Sequence, residues 1–119
     1  MDQNKQKITK IGGKEMKKVM LICNAGMSSS VMAKKTTKYL QEKGEDIQMD
    51  ATTIASADKV FASDEYDLVL VSPQVRMKFD EFSKKAEKNN KKIAQVTFNA
   101  YAPIPTGIEA MANIVLENI

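Results

Sequence analysis

Two short, uninterrupted apolar runs constrain the fold of this chain most, VMLI at residues 19–22 and LVLV at residues 68–71. A strand that is apolar at every position is typical of the centre of a parallel sheet, where helices cover both faces. Residues 47–52 instead alternate apolar and polar side chains, as in an edge strand, and residues 93–97 form a fourth predicted strand. The pattern predicts one α/β domain with a four-stranded parallel sheet in the order 2-1-3-4 and helices on both faces.

Segments with helical periodicity separate the predicted strands. The first follows residue 30 and is expected to stop near Gly44. Another helix is predicted over residues 74–88, and a shorter one near residues 56–62. In the C-terminal helix, Thr106 and Glu109 have the spacing of a capping box. Apolar residues recur every three or four positions in the helix over residues 74–88 and predict a buried stripe: Val75, Phe79, Phe82 and Ala86.

The composition is that of a small globular protein. A chain of 119 residues suits one domain, which we expect over residues 16–119, after a polar, lysine-rich flexible extension or expression leader at residues 1–15. No apolar stretch approaches the roughly 20 residues that span a bilayer, and no signal sequence is evident, so we expect a cytoplasmic protein without membrane insertion. The net charge is +3, but the lysines alternate with acidic residues, so nucleic-acid binding is not expected.

The chain contains one cysteine, Cys23, and no histidine. An intramolecular disulfide, the usual zinc ligand sets, and Cys-His or Ser-His-Asp catalytic arrangements are therefore excluded within one chain. The sequence predicts neither a metal nor a cofactor. Any chemistry that needs a histidine has to come from a partner.

Cys23 stands where the first strand opens into the loop CNAGMSSS. Gly26 allows the backbone to curl, so that the following amides and the start of the next helix can surround one anion. Residues 19–33 contain no other ionisable group, unlike a nucleotide-binding loop with its lysine. A helix start stabilises a thiolate, which predicts Cys23 as a nucleophile toward phosphorus. The predicted phosphoryl-binding loop comprises Asn24, Ala25, Gly26, Met27, Ser28, Ser29 and Ser30.

Two other interpretations of this loop remain open on these grounds. A free cysteine at a strand end is often only a buried core residue, and any one of the serines can simply cap the helix. A cysteine phosphatase is the second alternative, but phosphatases of the low-molecular-weight type carry an arginine six positions after the cysteine. That position is Ser29 here, which argues against efficient hydrolysis.

The cysteine loop, the preceding segment MKKV at residues 16–19 and the segment VSPQVR at residues 71–76 resemble one known family. Over residues 16–119 the chain is similar to the IIB component of the bacterial sugar phosphotransferase system, in its lactose, cellobiose and chitobiose branch. The resemblance implies a phosphocysteine intermediate on Cys23. It also implies a IIA component as phosphohistidine donor and a membrane IIC component that holds the acceptor sugar, expected to be a β-linked disaccharide.

The segment after the third strand is expected at the same edge of the sheet as Cys23. We therefore predict that Gln74 and Arg76 flank the site or contact a partner; the alternative is a helix start with a solvated arginine. Met77 falls opposite the predicted buried stripe, so its side chain is expected to be exposed. An exposed methionine suits a surface that meets the two partners in turn; the alternative is that one exposed apolar side chain is ordinary.

Overall fold

The computed structural model of the chain describes residues 10–11, 14–24 and 28–119. Lys10–Ile11 pairs antiparallel with Lys14–Glu15 in a short two-stranded ladder. Residues 1–9 and 12–13 lie outside the described residues. The expectation that residues 1–15 form a flexible extension therefore stays a prediction.

The main sheet has four parallel strands, β1 (Lys17–Cys23), β2 (Ile47–Thr53), β3 (Leu68–Val71) and β4 (Lys92–Gln95). Their order is β2-β1-β3-β4, which confirms the predicted order. The two apolar runs lie side by side in the centre and are buried throughout, because helices cover the sheet on both faces. β4 ends two residues earlier than predicted.

Four α-helices occur in the described part of the chain: α1 (Ser28–Glu42), α2 (Ala57–Ala62), α3 (Phe79–Lys88) and α4 (Pro105–Asn118). Gly44 follows α1 with a φ of +88°, the left-handed conformation that ends many helices and that glycine adopts without strain. Across residues 10–11, 14–24 and 28–119, no helix is long and apolar enough to cross a membrane.

Side chains of β1 and β3 alternate between two hydrophobic layers. Val19 and Leu21 of β1 pack with Leu68 and Leu70 of β3 on the side of α1 and α4. The residues between them face α2 and α3 in the second layer: Met20, Ile22, Val69 and Val71. The alternation places the next residue of β1, Cys23, on the side of α1.

The prediction of one continuous helix over residues 74–88 was wrong. A 3₁₀ segment covers Pro73–Lys78, with Val75 at a non-helical φ of −122° and ψ of 28°, and α3 begins only at Phe79. The Val75 N–H donates to the Ser72 carbonyl at 3.1 Å, so the chain makes a tight turn that buries the Val75 side chain before the α-helix starts. The predicted stripe is confirmed, since Phe82 and Ala86 are also buried and Phe79 is half-buried.

The predicted capping box at Thr106 was also wrong. α4 begins at Pro105, with Ile104 as the N-cap residue and no side-chain cap hydrogen bond, so Thr106 lies inside the first turn. Proline is well suited to the first helical position, because its φ is already fixed near the helical value and its missing N–H is not needed there.

Gly107 in the first turn of α4 is required by close packing. A Cβ at this position would lie 2.2 Å from the carbonyl oxygen of Ala102, a backbone atom that cannot move without shifting the loop. We expect Gly107→Ala to lower the free energy of unfolding by about 1–3 kcal/mol in urea denaturation, although alanine is the better helix former. Asn113→Ala on the exposed side of the same helix is the control, expected within about 0.5 kcal/mol of wild type. Equal stability of the two variants would contradict the packing argument.

Candidate functional site

Cys23 ends β1 at the carboxyl edge of the sheet, and its side chain is only 1% exposed. Its sulfur nevertheless contacts polar atoms. Sγ lies 2.7 Å from the Ser29 hydroxyl oxygen and 3.3 Å from the carbonyl oxygen of Thr52 in β2. The thiol is therefore buried between the start of α1 and the neighbouring strand, with an oxygen atom on each side.

Ser29 lies in the first turn of α1, which begins at Ser28, and its side chain is buried. A neutral thiol can donate its proton to the Thr52 carbonyl and accept from Ser29. An ionised sulfur has no proton, so the Ser29 hydroxyl then has to be the donor. This geometry provides one hydroxyl and the positive end of a helix dipole for a negative charge at Cys23. Ser30, in the same turn, is exposed.

The rest of the predicted loop is only partly described. Asn24 is exposed at the end of β1. Ala25, Gly26 and Met27 lie outside the described residues, and for Ser28 only the backbone is described. The arrangement of amides around one anion therefore stays a prediction.

The described contacts of the sulfur are to uncharged groups. Three ion pairs of the described residues do not involve the residues that contact the sulfur: Lys18 with Glu65 at 2.6 Å, Lys85 with Asp58 at 2.8 Å, and Lys78 with Glu81 at 3.4 Å. The hydrogen bond from Lys18 to Glu65 raises the Lys18 pKa above its ordinary value.

Arg76 lies in the loop that follows β3, with an exposed side chain. Its Nη1 donates to the Pro73 carbonyl at 3.1 Å, and its Cζ lies 5.4 Å from the centre of the Phe98 ring, in a cation–π contact. Arg76 thus connects the loops after β3 and β4. A direct role for Arg76 at the phosphoryl site stays a prediction.

Exposed apolar side chains lie in the same two loops. Met77 is 74% exposed, which confirms the expected exposure, and Phe98 is 66% exposed. Gln74 is also exposed, and its predicted position beside the site stays a prediction. Met77 and Phe98 are the two most exposed of the large apolar side chains in the part of the chain that the structure describes.

Two residues that the sequence interpretation missed also shape this edge. Gln95, at the end of β4, donates from Nε2 to the carbonyl oxygens of Val71 at 2.9 Å and Ser72 at 3.3 Å, which holds the loop after β3 in place. Ser72 itself is completely buried next to the end of β1. The sequence pointed to Ser72 only through its position, because Ser72 is the first residue after the strand predicted to lie beside β1.

A sequence model of the family "PTS system, Lactose/Cellobiose specific IIB subunit" matches residues 18–109. The chain is 31% identical to the oligo-beta-mannoside-specific EIIB component of Bacillus subtilis (strain 168) over 86 residues, which cover 72% of this chain and 82% of that protein. It is 38% identical to the galactose-specific EIIB component of Lactococcus lactis subsp. cremoris (strain MG1363) over 74 residues, 60% of this chain and 68% of that protein.

Solved structures share the fold. The lactose-specific IIB component domain of Streptococcus pneumoniae superposes with a TM-score of 0.72 at 21% identity, over 87% of this chain and 97% of that chain. The cellobiose-specific IIB component of Borrelia burgdorferi superposes with a TM-score of 0.65 at 22% identity, over 86% of this chain and 90% of that chain. With well over half of its length matched by the family model, the chain belongs to the lactose/cellobiose-specific IIB subunits of the phosphotransferase system.

Proposed function

We propose that this chain carries a phosphoryl group on the Cys23 sulfur, between a IIA component and a sugar bound by a membrane IIC component. The observation that supports this most is the buried sulfur 2.7 Å from the Ser29 hydroxyl at the start of α1. Membership of the IIB family supports a phosphotransferase role. The absence of histidine from the sequence is consistent with a phosphohistidine donor on another protein. The proposed location is the cytoplasm, with transient contact at the inner face of the membrane through IIC.

The proposed reaction has two steps. In the first, the Cys23 thiolate attacks phosphorus; the S–P bond forms as the P–N bond of the donor breaks, and the proton lost by the thiol ends on the imidazole nitrogen. In the second, a sugar hydroxyl oxygen attacks phosphorus, so that an O–P bond forms as the S–P bond breaks. The proton of that sugar hydroxyl is transferred to the sulfur, which regenerates the thiol. Charge spreads over three phosphoryl oxygens in each transition state, so the requirement is positioning and hydrogen-bond donors.

The acceptor sugar is proposed to be a β-linked disaccharide. The relatives found are named for oligo-β-mannosides, galactose and cellobiose, at identities of 31%, 38% and 36% respectively. These identities lie close together, so they support a sugar of this set without favouring one member. Cellobiose, from the name of a relative, and lactose, from the name of the matched family, are the β-linked disaccharides among these sugars and are the first pair to compare.

The proposal is tested by following one phosphate. The chain is incubated with a phosphorylated IIA donor, separated from it, and mixed with membrane vesicles that contain IIC and either cellobiose or lactose. We expect the phosphate on the isolated chain to move to the sugar. Release of inorganic phosphate before vesicles are added, together with turnover of an aryl phosphate, would instead identify a cysteine phosphatase. A phosphatase is not favoured, because Ser29 occupies the position of its arginine.

Ser29→Ala is expected to slow phosphoryl acceptance by about 10- to 100-fold. The physical reason is that a hydrogen bond to a charged group contributes about 1.5–3 kcal/mol, and about 1.4 kcal/mol corresponds to a factor of ten in rate. The measurement is the rate of phosphate incorporation from the IIA donor. Ser83→Ala, which removes the same hydroxyl from α3 on the opposite face of the sheet, is the matched control and is expected to react at the wild-type rate. Equal rates for Ser29→Ala and wild type would remove Ser29 from the proposed site.

A further inference from the structure

Ser72 has a buried side-chain hydroxyl that makes no hydrogen bond to the residues that the structure describes. Its side chain is 0% exposed, and its Oγ has no hydrogen-bond partner among the described residues. Folded proteins pair nearly all of their buried polar groups, because an unpaired one loses its hydrogen bonds to water without replacement. An unpaired hydroxyl in such a place therefore requires an explanation.

Three hydrogen bonds fix the backbone of Ser72. Its N–H donates to the Ile22 carbonyl of β1 at 3.0 Å, and its own carbonyl accepts from the Val75 N–H at 3.1 Å and from Gln95 Nε2 at 3.3 Å. Its φ of −69° and ψ of 158° are extended, as the following proline requires. The backbone N–H and carbonyl of Ser72 are thus hydrogen-bonded, whereas its side-chain hydroxyl has no partner among the described residues.

Strand register places the residue Ser72 next to Cys23. Ile22 of β1 pairs with Val71 of β3, so the next residues of the two chains, Cys23 and Ser72, are neighbours at a strand spacing of about 4.8 Å. The preceding alternate pair, Leu21 and Leu70, points toward α1 and α4. Cys23 and Ser72 continue this alternation, so both side chains lie on the side of α1, where Ser29 contacts the sulfur.

We propose that the Ser72 hydroxyl donates a hydrogen bond to the phosphoryl group on Cys23 and helps to position it. This inference rests on the proposed phosphocysteine function. A phosphoryl group brings three strong acceptor oxygens to the sulfur, and an oxygen on the β3 side gives Ser72 the partner that it lacks in the free protein. The hydroxyl then stabilises the phosphorylated form and not the free form, which shifts the equilibrium of transfer toward this chain.

Thr36 provides a matched control. It is also fully buried, with an unpaired Oγ1 among the described residues, but it lies seven residues beyond Ser29 in α1, about 10 Å along the helix axis. Ser72→Ala and Thr36→Val each remove one unpaired hydroxyl. We expect both free proteins to unfold at a urea concentration equal to or above that of wild type.

The two variants are expected to differ only after phosphorylation. With a phosphorylated IIA donor at equilibrium, we expect Ser72→Ala to show a transfer constant about tenfold below wild type, and Thr36→Val to show the wild-type constant. A transfer constant of Ser72→Ala equal to that of wild type would overturn the inference while leaving Cys23 as the acceptor. Lower stability of free Ser72→Ala would also overturn it, since the hydroxyl would then be structural. A wild-type chain that accepts no phosphate would contradict the proposed function itself.

Discussion

Cys23→Ser is expected to abolish phosphoryl acceptance from a IIA donor, with a rate loss on the order of 10⁴-fold or more, as for loss of other enzymatic nucleophiles. A serine hydroxyl ionises far less readily than a thiol, and the chain has no histidine to act as its base. Intact-mass spectrometry after incubation with the donor measures the result. Wild type is expected to gain one phosphate and the variant none.

The fold of the Cys23→Ser variant has to be shown intact for this result to count. Cys23 lies in a central strand, so the circular dichroism spectrum and the urea midpoint of the variant are measured beside those of wild type. A folded variant that gains one phosphate at the wild-type rate would place the acceptor on another residue.

Phe61→Ala is expected to give the largest loss of stability, about 3–5 kcal/mol in the free energy of unfolding. Phe61 is 1% exposed on α2, and its ring centre lies 5.7 Å from that of Phe82 on α3. Removing the ring leaves a cavity in the layer that covers one face of the sheet, and it also removes this aromatic contact. Urea denaturation followed by circular dichroism measures the change.

Phe98→Ala is the matched control for this prediction. It deletes the same ring, but from a side chain that is 66% exposed and contacts Arg76. We expect its free energy of unfolding to stay within about 1 kcal/mol of wild type, the contribution of an exposed cation–π contact. Comparable losses in the two variants would show that burial does not determine the effect.

The sheet was predictable because a strand that is buried on both faces has an apolar residue at every position. Residues 19–22 and 68–71 have no polar position, and short runs of this kind are typical of strands in the centre of a covered parallel sheet. The end of β4 was not predictable in the same way. β4 pairs with β3, and β3 ends at Val71 before Pro73, which has no N–H to extend the ladder.

Helix boundaries depended on local turns that periodicity does not show. The Val75 side chain is buried from the turn that precedes α3, and the Phe82 side chain from α3 itself, so the stripe was right and the continuous helix wrong. At Thr106, the capping-box pattern competed with Pro105, whose fixed φ starts the helix two residues earlier.

The candidate site was predictable only in part. Cys23 could be located because a strand end, a small-residue loop and a following helix are adjacent in sequence. The position of Ser72 after the third strand could be predicted, but its unpaired hydroxyl could not, because that depends on the register between β1 and β3 and on which buried atoms lack partners. Both are properties of the folded chain, which sequence patterns do not contain.

The central claim is that the sulfur of Cys23 holds the phosphoryl group. Tandem mass spectrometry of the wild-type chain, after incubation with a phosphorylated IIA donor and digestion, tests it most directly. We expect one phosphate, on the peptide that contains Cys23 and on the cysteine itself. Phosphate on Ser28, Ser29, Ser30 or Ser72, or no phosphate on a chain whose donor is fully active, would contradict the claim.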